Sequence, residues 1–248
     1  TNTLAISDGS GIASNYTLTN GTLTMTIVPR PTTVSGTKIY DGTTNVSSSN
    51  LTSFSNLAGS DTLSLSGTGT ISTADVGTGK TVNTSGLTID NSSGVGSNYT
   101  LSAATVNVTE RVIGLSGVRA FDGTNNASST DLSISNLVSG ENLTLSGSGT
   151  VPNATVEMNK AISLGSLSIS DGSGGKSSNY TLTGGSHTLD ISQLSVNITG
   201  SRQYDGTKTV NSSDLNLTNL VSGETVSLTG AGTVADENVG ANKTVTAG

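Results

Sequence analysis

The chain has 248 residues, of which 31% are hydrophobic and 3% aromatic, and it carries a formal net charge of −7 with only ten lysine and arginine residues. Nucleic-acid binding needs clustered cations that displace counterions from phosphates, so this charge argues against that class of partner. Cysteine is absent, which excludes disulfides, cysteine-based catalysis and cysteine-ligated zinc.

A short motif of an aromatic residue followed by aspartate, glycine and threonine occurs three times. Its copies are Tyr40-Asp41-Gly42-Thr43, Phe121-Asp122-Gly123-Thr124 and Tyr204-Asp205-Gly206-Thr207. The aromatic positions lie 81 and 83 residues apart, so the chain is a tandem array with a period of about 82 residues. We therefore predict four pieces: the C-terminal third of a repeat at 1–29, complete repeats at 30–111 and 112–194, and the N-terminal two-thirds of a repeat at 195–248.

Within the first complete repeat, alternating residues predict a series of short strands. Lys38 and Tyr40 are two positions apart and share one strand face, and Asp41-Gly42 favours a tight turn directly after them. Further strands are predicted around Leu63 and Leu65, Leu87 and Ile89, and Ala104 to Thr109, with a loop at Asp75 to Lys80. The second repeat follows the same order.

No segment has the apolar spacing of a helix, and Gly, Ser, Thr and Asn are poor or mediocre helix formers. The fold class is therefore predicted to be all-β, with small β-sandwich-like or β-grasp-like modules of about 82 residues. Strand-like residues continue across the junctions, which predicts an elongated rod. A β-solenoid is the alternative, although its coils would impose a sub-period of roughly 20–30 residues.

With its motif and spacing, the chain resembles the YDG-type repeats found in tandem in large bacterial surface proteins of the filamentous haemagglutinin-like, two-partner-secreted adhesin group. The resemblance covers the whole chain. It implies a repetitive stalk or filament region that is extracellular, at a bacterial cell surface, and it implies no ligand site. The second copy departs from the pattern with Phe121, which argues against an essential tyrosine hydroxyl.

Lysine is scarce, yet Lys80, Lys160 and Lys243 recur at the same place in each repeat. One interpretation is a recurrent salt bridge to the motif aspartates, which are Asp41, Asp122 and Asp205. Another is a Lys-Asn isopeptide cross-link, which would lower the intact mass by one ammonia per bond. The motif aromatics Tyr40, Phe121 and Tyr204 are interpreted as core residues, with the lysine or arginine stem packed alongside.

Catalytic and metal sites are not expected. A Ser-His-Asp triad needs a histidine base, and His187, the only histidine, is interpreted as a solvated loop residue. The loop residues Asp8, Asp90 and Asp171 each offer one certain carboxylate, whereas calcium takes about six to eight oxygen ligands. We therefore predict turn-forming aspartates, no cofactor, no metal and no enzyme activity.

The leading functional hypothesis is a structural stalk or filament segment of a secreted bacterial adhesin or of a matrix (biofilm) fibre, which spaces other domains. Its partners would be neighbouring repeats of the same chain and other copies in a fibre. One alternative is an adhesive module that binds glycans or a cell surface. Another is a fibre protomer completed by head-to-tail strand complementation, since the terminal pieces complement each other. Membrane insertion is not expected, because no run of about 18 apolar residues occurs.

Overall fold

The structure is a computed structural model that describes residues 4–247. Over that range the secondary structure consists of β-strands and short 3₁₀ turns, and no α-helix occurs. The strands form small sheets of two to four strands, none of which closes into a barrel among the described residues. These features confirm the all-β prediction. The chain divides into two compact units, Thr1–Thr109 and Glu110–Gly248.

The first unit contains a four-stranded and a three-stranded sheet. Its strands are β1 (Arg30–Ile39), β2 (Asn45–Ser47), β3 (Leu51–Ser55), β4 (Leu63–Thr70), β5 (Gly77–Thr81), β6 (Leu87–Asn91) and β7 (Tyr99–Thr109). The larger sheet has the order β3-β1-β7-β5 and the smaller one β2-β4-β6. Residues 4–29 of this unit contain one 3₁₀ turn, Ala13–Asn15, and no strand.

The centre of the larger sheet is a parallel pair formed by the first and the last strand. β1 pairs with β7 from Arg30 opposite Tyr99 to Ile39 opposite Thr109. The edge strands β3 and β5 are antiparallel to β1 and β7, respectively. Parallel neighbours need a long crossover connection, and here the connection is the whole intervening repeat.

Alternation along these strands produces the core. Val34 in β1 is 2% exposed, and Val106 and Val108 in β7 are 1% and 2% exposed. Val46 and Leu51 add buried side chains from β2 and β3. Because successive strand residues point to opposite faces, each strand contributes only a few apolar side chains, and the core of the unit is thin.

The second unit begins with the same arrangement. Its strands up to residue 192 are β8 (Arg111–Val112), β9 (Gly114–Ala120), β10 (Asn126–Ser128), β11 (Leu132–Ser135), β12 (Leu143–Ser146), β13 (Ser148–Thr150), β14 (Glu157–Ala161), β15 (Ser168–Asp171), β16 (Tyr180–Thr181) and β17 (His187–Ser192). The sheet order β11-β9-β17-β14 again places a parallel pair, β9 and β17, at the centre. Three two-stranded sheets, β10-β13, β12-β15 and β16-β8, accompany it.

The remainder of the second unit has fewer strands. They are β18 (Asn197–Gly200), β19 (Thr209–Asn211), β20 (Leu215–Thr218), β21 (Ala231–Thr233) and β22 (Thr246–Ala247). β18 pairs antiparallel with β20, and β19, β21 and β22 form a three-stranded sheet. In this part of the described chain, no strand pairs with the other edge of β18. The 3₁₀ turns that precede strands elsewhere are Ser48–Asn50, Gly96–Asn98, Ser129–Asp131, Ser177–Asn179 and Ser212–Asp214.

Several local predictions were wrong. Asp90 and Asp171, which were predicted to lie in loops, belong to β6 and to the end of β15. The predicted loop at Asp75 to Lys80 is partly strand, because Gly77–Thr81 is β5 and pairs with β7. Cross-strand pairing therefore overrides the weak strand propensity of glycine and lysine. His187 is the first residue of β17 and is half-buried, with its Nε2 atom 2.8 Å from the carbonyl oxygen of Leu182. It is therefore not a solvated loop residue.

A close backbone approach explains a glycine in the first strand of each repeat. A Cβ atom added at Gly36 would lie 1.7 Å from the carbonyl oxygen of Asn50, and one at Gly117 would lie 1.9 Å from that of Asp131. At Gly200 the corresponding distance to Asp214 is 2.1 Å. Backbone carbonyl oxygens cannot move aside cheaply, so a side chain at this position of the first strand requires a costly backbone shift.

We expect Gly36→Ala to lower the free energy of unfolding by about 1–3 kcal/mol, because the backbone of β1 or of β3 must shift to admit the methyl group. Urea denaturation followed by far-UV circular dichroism measures the change. Gly9→Ala is the matched control, since nothing lies within 4 Å of a Cβ atom there. Its effect should stay within about 0.5 kcal/mol. Equal effects of the two substitutions would contradict the steric account.

Candidate functional site

The recurrent aspartate forms a tight turn at the end of β1. Asp41 Oδ1 accepts hydrogen bonds from the Thr43 backbone N–H at 2.9 Å and from the Thr43 hydroxyl at 2.9 Å. Gly42, between them, has a φ of 76°, which glycine adopts without steric cost. The side chain thus mimics a backbone turn, which is the usual role of aspartate in such loops.

A buried lysine is hydrogen-bonded to this turn. Lys38 is 4% exposed, and its Nζ atom lies 2.8 Å from Asp41 Oδ1. The ammonium also donates to the carbonyl oxygen of Thr43 at 2.9 Å, to the Thr43 hydroxyl at 3.0 Å and to the carbonyl oxygen of Asn45. A buried cation is costly unless it is paired and hydrogen-bonded, and here its donors are directed at acceptors of the turn.

The other two copies have the same turn with arginine in place of lysine. Asp122 Oδ1 accepts from the Thr124 N–H at 2.8 Å and from its hydroxyl at 2.9 Å. Asp205 repeats these bonds with Thr207 at 2.9 and 3.0 Å. The cations that pair with these aspartates are Arg119 and Arg202. In every repeat the partner of the motif aspartate is therefore the cation three residues before it.

The motif aromatics differ in their surroundings. Tyr40 is 5% exposed and Phe121 is half-buried, whereas Tyr204 is 66% exposed. The structure therefore places Tyr40 in the core of its repeat, whereas the interpretation of Tyr204 as a core residue was wrong, because Tyr204 lies at the surface. The two less exposed aromatics are bonded to the last strand of their sheet. The Tyr40 N–H donates to Thr109 O at the end of β7, and the Phe121 N–H donates to Ser192 O at the end of β17.

The lysines at the second recurrent position do not pair with the motif aspartates, so that prediction was wrong. Lys80 Nζ donates to Thr73 Oγ1 at 3.0 Å and to the carbonyl oxygen of Asp75. Lys243 Nζ donates to the Asp236 carbonyl oxygen at 3.0 Å and to its carboxylate at 2.5 Å. The ammonium group of each lysine donates to a residue seven positions earlier in the chain. This local hydrogen bond replaces the expected long-range salt bridge.

Lys160 lies within hydrogen-bond distance of four acceptor atoms. Its Nζ atom lies 2.7 Å from Asn153 Oδ1, 3.0 Å from Thr155 O, 3.1 Å from Thr155 Oγ1 and 2.9 Å from Glu157 Oε2. Asn153 in turn accepts from the Thr155 N–H at 3.1 Å, as an aspartate does in the motif turn. A Lys-Asn isopeptide needs an asparagine beside the amine, and of the three lysines only Lys160 has an asparagine side chain among these bonds.

Comparison with known protein families assigns the chain. The YDG domain matches three times, at residues 21–107, 109–188 and 191–248. The chain belongs to the YDG domain family. No curated protein and no solved structure matches it. The match identifies the domain and states nothing about filamentous haemagglutinin-like adhesins, so that part of the resemblance stays a prediction.

An arginine–asparagine pair that we did not predict joins two parts of each of the first two YDG domains. Arg30 donates from Nε to Asn56 O at 2.8 Å and from Nη2 to Asn56 Oδ1 at 2.9 Å. Arg111 makes the same two bonds to Asn136, at 2.6 and 2.7 Å. These asparagines have φ angles of 60° and 65°, and Asn219 in the third domain has 57°. Their recurrence before a leucine was the available signal, since asparagine is enriched at positive φ.

A tyrosine at or shortly before the start of the last strand anchors the same segment: it is Tyr99, the first residue of β7, in the first domain and Tyr180, the first residue of β16, in the second. Tyr180 is 2% exposed; its hydroxyl donates to Glu141 Oε2 at 2.7 Å and accepts from the Val138 N–H at 3.1 Å. Tyr99 repeats this with Asp61 at 2.5 Å and with the Ala58 N–H at 3.0 Å. Burial, followed by the hydrogen bond to Glu141, raises the pKa of Tyr180. For Tyr99 the hydrogen bond to Asp61 is the main cause of a raised pKa.

The recurrent aspartates bond to groups of their own domains. Within residues 4–247, no group of three or more His, Cys, Asp or Glu side chains is placed to hold a metal ion. No helix in that range is long and apolar enough to cross a membrane. Asp171, the last residue of β15, accepts from the Ser177 N–H and hydroxyl, both at 2.8 Å, as a turn-forming aspartate does. The recurrent polar residues thus fix turns and join strands within each YDG domain.

We expect Tyr180→Phe to lower the free energy of unfolding by about 1–2 kcal/mol, because the Val138 N–H loses its part-buried acceptor and the Glu141 carboxylate loses the hydrogen bond from the Tyr180 hydroxyl. Tyr204→Phe is the matched control, since Tyr204 is 66% exposed. Its effect should lie within about 0.5 kcal/mol. Urea denaturation of both variants gives the comparison, and a loss of equal size in the control would contradict this role of the buried hydroxyl.

Acid should destabilise the YDG domains through the motif aspartates. Burial raises the pKa of Asp41, but hydrogen bonds from Lys38 and Thr43 outweigh it, so the pKa is below its ordinary value. The pKa of Asp205 is lowered chiefly by the Thr207 N–H. Carboxylates with lowered pKa contribute stability fully above the unfolded-state pKa of about 3.9, and this contribution is lost as pH falls through the lower folded-state value.

Asp41→Asn should therefore cost about 1 kcal/mol of unfolding free energy at pH 7 and much less below pH ~3, where the wild-type carboxylate is itself becoming protonated. Urea denaturation across this pH range measures the difference. The exposed Glu237 provides the control Glu237→Gln. A difference between wild type and Asp41→Asn that does not shrink on acidification would contradict the assignment.

Proposed function

We propose that the chain is a structural segment, a stalk or filament section of a large bacterial extracellular adhesin or matrix fibre, that spaces or assembles other domains without catalysis. One observation carries the proposal. In a parallel pair of first and last strands, the chain enters the sheet at the start of β1, at Arg30, and leaves it at the end of β7, at Thr109. The entry and the exit thus lie at opposite ends of the strand pair.

Tandem copies of such a domain gain length with each copy. Ten paired residues at about 3.3 Å each give a separation of roughly 33 Å between the two ends of the pair. β9 and β17 have the same parallel direction in the second YDG domain. We therefore propose that each domain is a β-sandwich-like or β-grasp-like module of about 82 residues, and that the modules form a rod in which each contacts chiefly its neighbours.

The use of the recurrent residues also supports a mechanical role. Lys38 and Lys160 are 4% and 5% exposed and are bonded to turns of their own domains. Arg30 and Tyr180 are bonded to backbone groups and side chains within their own units. Binding and catalytic sites usually present such residues to a cleft, whereas here they hold loops against sheets.

The extracellular bacterial setting rests on the resemblance of the repeats. A chain without cysteine needs another source of local rigidity outside the cell, where small domains often use disulfides. The cation-capped turns and the arginine–asparagine pairs are suited to that role, since each closes a loop through several hydrogen bonds. Export to the bacterial surface and a place in an adhesin are parts of the proposal.

Small-angle X-ray scattering on the monomer tests the rod. Three domains of about 33 Å give a length of about 100 Å and a radius of gyration of about 29 Å. A compact chain of 248 residues would have a radius of gyration of about 18 Å. Duplicating residues 30–111 should lengthen the particle by about 33 Å at constant cross-section. A radius near the compact value, or growth in all directions, would contradict a stalk.

A further inference from the structure

The recurrent lysine of the second YDG domain lies beside two side chains that the other domains lack at these positions. Asn153 is seven residues before Lys160, and Glu157 is three residues before it. The equivalent residues of the first and third domains are Thr73, Gly77, Asp236 and Gly240. In those domains the lysine is still bonded to its turn. Holding the turn therefore requires neither an asparagine nor a glutamate.

The lysine amine lies next to the asparagine amide. The Lys160 side chain is 2% exposed, and its Nζ atom is 2.7 Å from Asn153 Oδ1. Because a C=O bond is about 1.2 Å long, the amide carbon Cγ lies within about 4 Å of Nζ. Reacting atoms in a near-attack arrangement are about 3–3.5 Å apart. A small rotation of the flexible lysine side chain is therefore enough to bring the amine to the carbon.

Two further hydrogen bonds polarise the same amide. Asn153 Oδ1 accepts from the Thr155 N–H at 3.1 Å and from the Thr155 hydroxyl at 2.5 Å. Donors fixed around an oxygen stabilise the negative charge that develops there when a nucleophile adds to the adjacent carbon. Thr155 thus provides an oxyanion site at the amide that Lys160 faces.

A carboxylate is placed to move the protons. Glu157 Oε2 lies 2.9 Å from Lys160 Nζ. This separation is within the hydrogen-bond reach that proton transfer to a general base requires. The carboxylate can therefore take a proton from the amine where the amine faces the Asn153 amide.

We propose that Lys160 and Asn153 form an intramolecular isopeptide bond, with Glu157 as the general acid–base. Glu157 takes a proton from the Lys160 ammonium, and the neutral amine adds to Asn153 Cγ. The Nζ–Cγ bond forms and the Cγ–Nδ2 bond breaks. Nζ keeps one of its three protons, and the other two leave with Nδ2 as an ammonium ion. The reaction is balanced without an oxidant, a cofactor or a second substrate.

A slow reaction is sufficient, because the bond has to form only once in each chain. Well-oriented groups held in contact reach effective concentrations of about 10⁵–10⁸ M. The bond would close the loop 153–160 and tie β14 covalently to the turn before it. The inference does not depend on the chain acting as a spacer.

Intact-mass spectrometry of the full chain tests the proposal. We expect a mass that is lower, by one ammonia, than the mass calculated from the sequence. A protease that cleaves after glutamate cuts the chain at Glu157, between Asn153 and Lys160. The isopeptide bond therefore appears as a linked pair of peptides in the digest.

Three variants separate the chemistry from the fold. Lys160→Arg and Asn153→Thr should each show the full sequence mass, and threonine is the residue that the first domain has at the latter position. Glu157→Gln should slow bond formation by about 10²-fold or more, as expected for loss of a general base. Lys80→Arg is the matched control and should keep the mass loss, since Lys80 Nζ donates to Thr73 rather than to an asparagine side chain. Far-UV circular dichroism shows whether each variant is folded.

A wild-type chain that keeps its full sequence mass after prolonged incubation at alkaline pH would overturn the proposal. A mass loss that survives Lys160→Arg would overturn it as well. Loss of ammonia without a linked peptide pair would mean that an asparagine has cyclised to a succinimide, which also contradicts the bond. Bond formation at the wild-type rate in Glu157→Gln would contradict the role of Glu157.

Discussion

In the first two YDG domains the strand that begins the domain is held by the strand that ends it, and the edge strands and turns are arranged around that parallel pair. Among the described residues, the third domain contains no such pair. Its first strand, β18, has one neighbour, and residues 240–244 do not form the strand that β5 and β14 form elsewhere. Tyr204 is 66% exposed, whereas Tyr40 is 5% exposed. In the first two domains, closure by the last strand joins the first strand to the opposite edge strand, which is β5 or β14.

Hydrogen bonds provide part of the stabilisation that the burial of apolar side chains provides in other domains. With 31% hydrophobic residues, each domain buries few large side chains, and Thr32, Lys38, Lys160 and Asn179 lie buried beside them. Thr32 donates to Ser55 O at 2.5 Å, and the lysines are surrounded by turn oxygens. Breaking one of these hydrogen bonds would leave a buried polar group unsatisfied, which costs substantial free energy. The bonds therefore fix the loops in place without cysteine or a large core.

Local features were predictable from the sequence, and long-range pairing was not. Alternation identified β4 and β6, where Leu65 lies opposite Ile89, and Asp41-Gly42 identified its turn. The parallel pairing of β1 with β7 joins residues about seventy positions apart, and alternation carries no information about direction or partner. For the same reason the lysines were assigned the wrong aspartates. The Lys38–Asp41 pair depends on how the strand enters the turn, which only the backbone path determines.

Closure by the last strand also governs when a domain can fold. Thr33 meets Ala103, seventy residues later, so the central pair cannot form until nearly the whole domain is available. Contacts of such high sequence separation slow folding, because the loop entropy is lost before the contact stabilises the chain. When a polypeptide leaves a ribosome or a narrow channel with its N-terminus first, each domain would therefore remain incompletely folded until its last strand has emerged. Each domain would then close in one late step, and the array would form in sequence order.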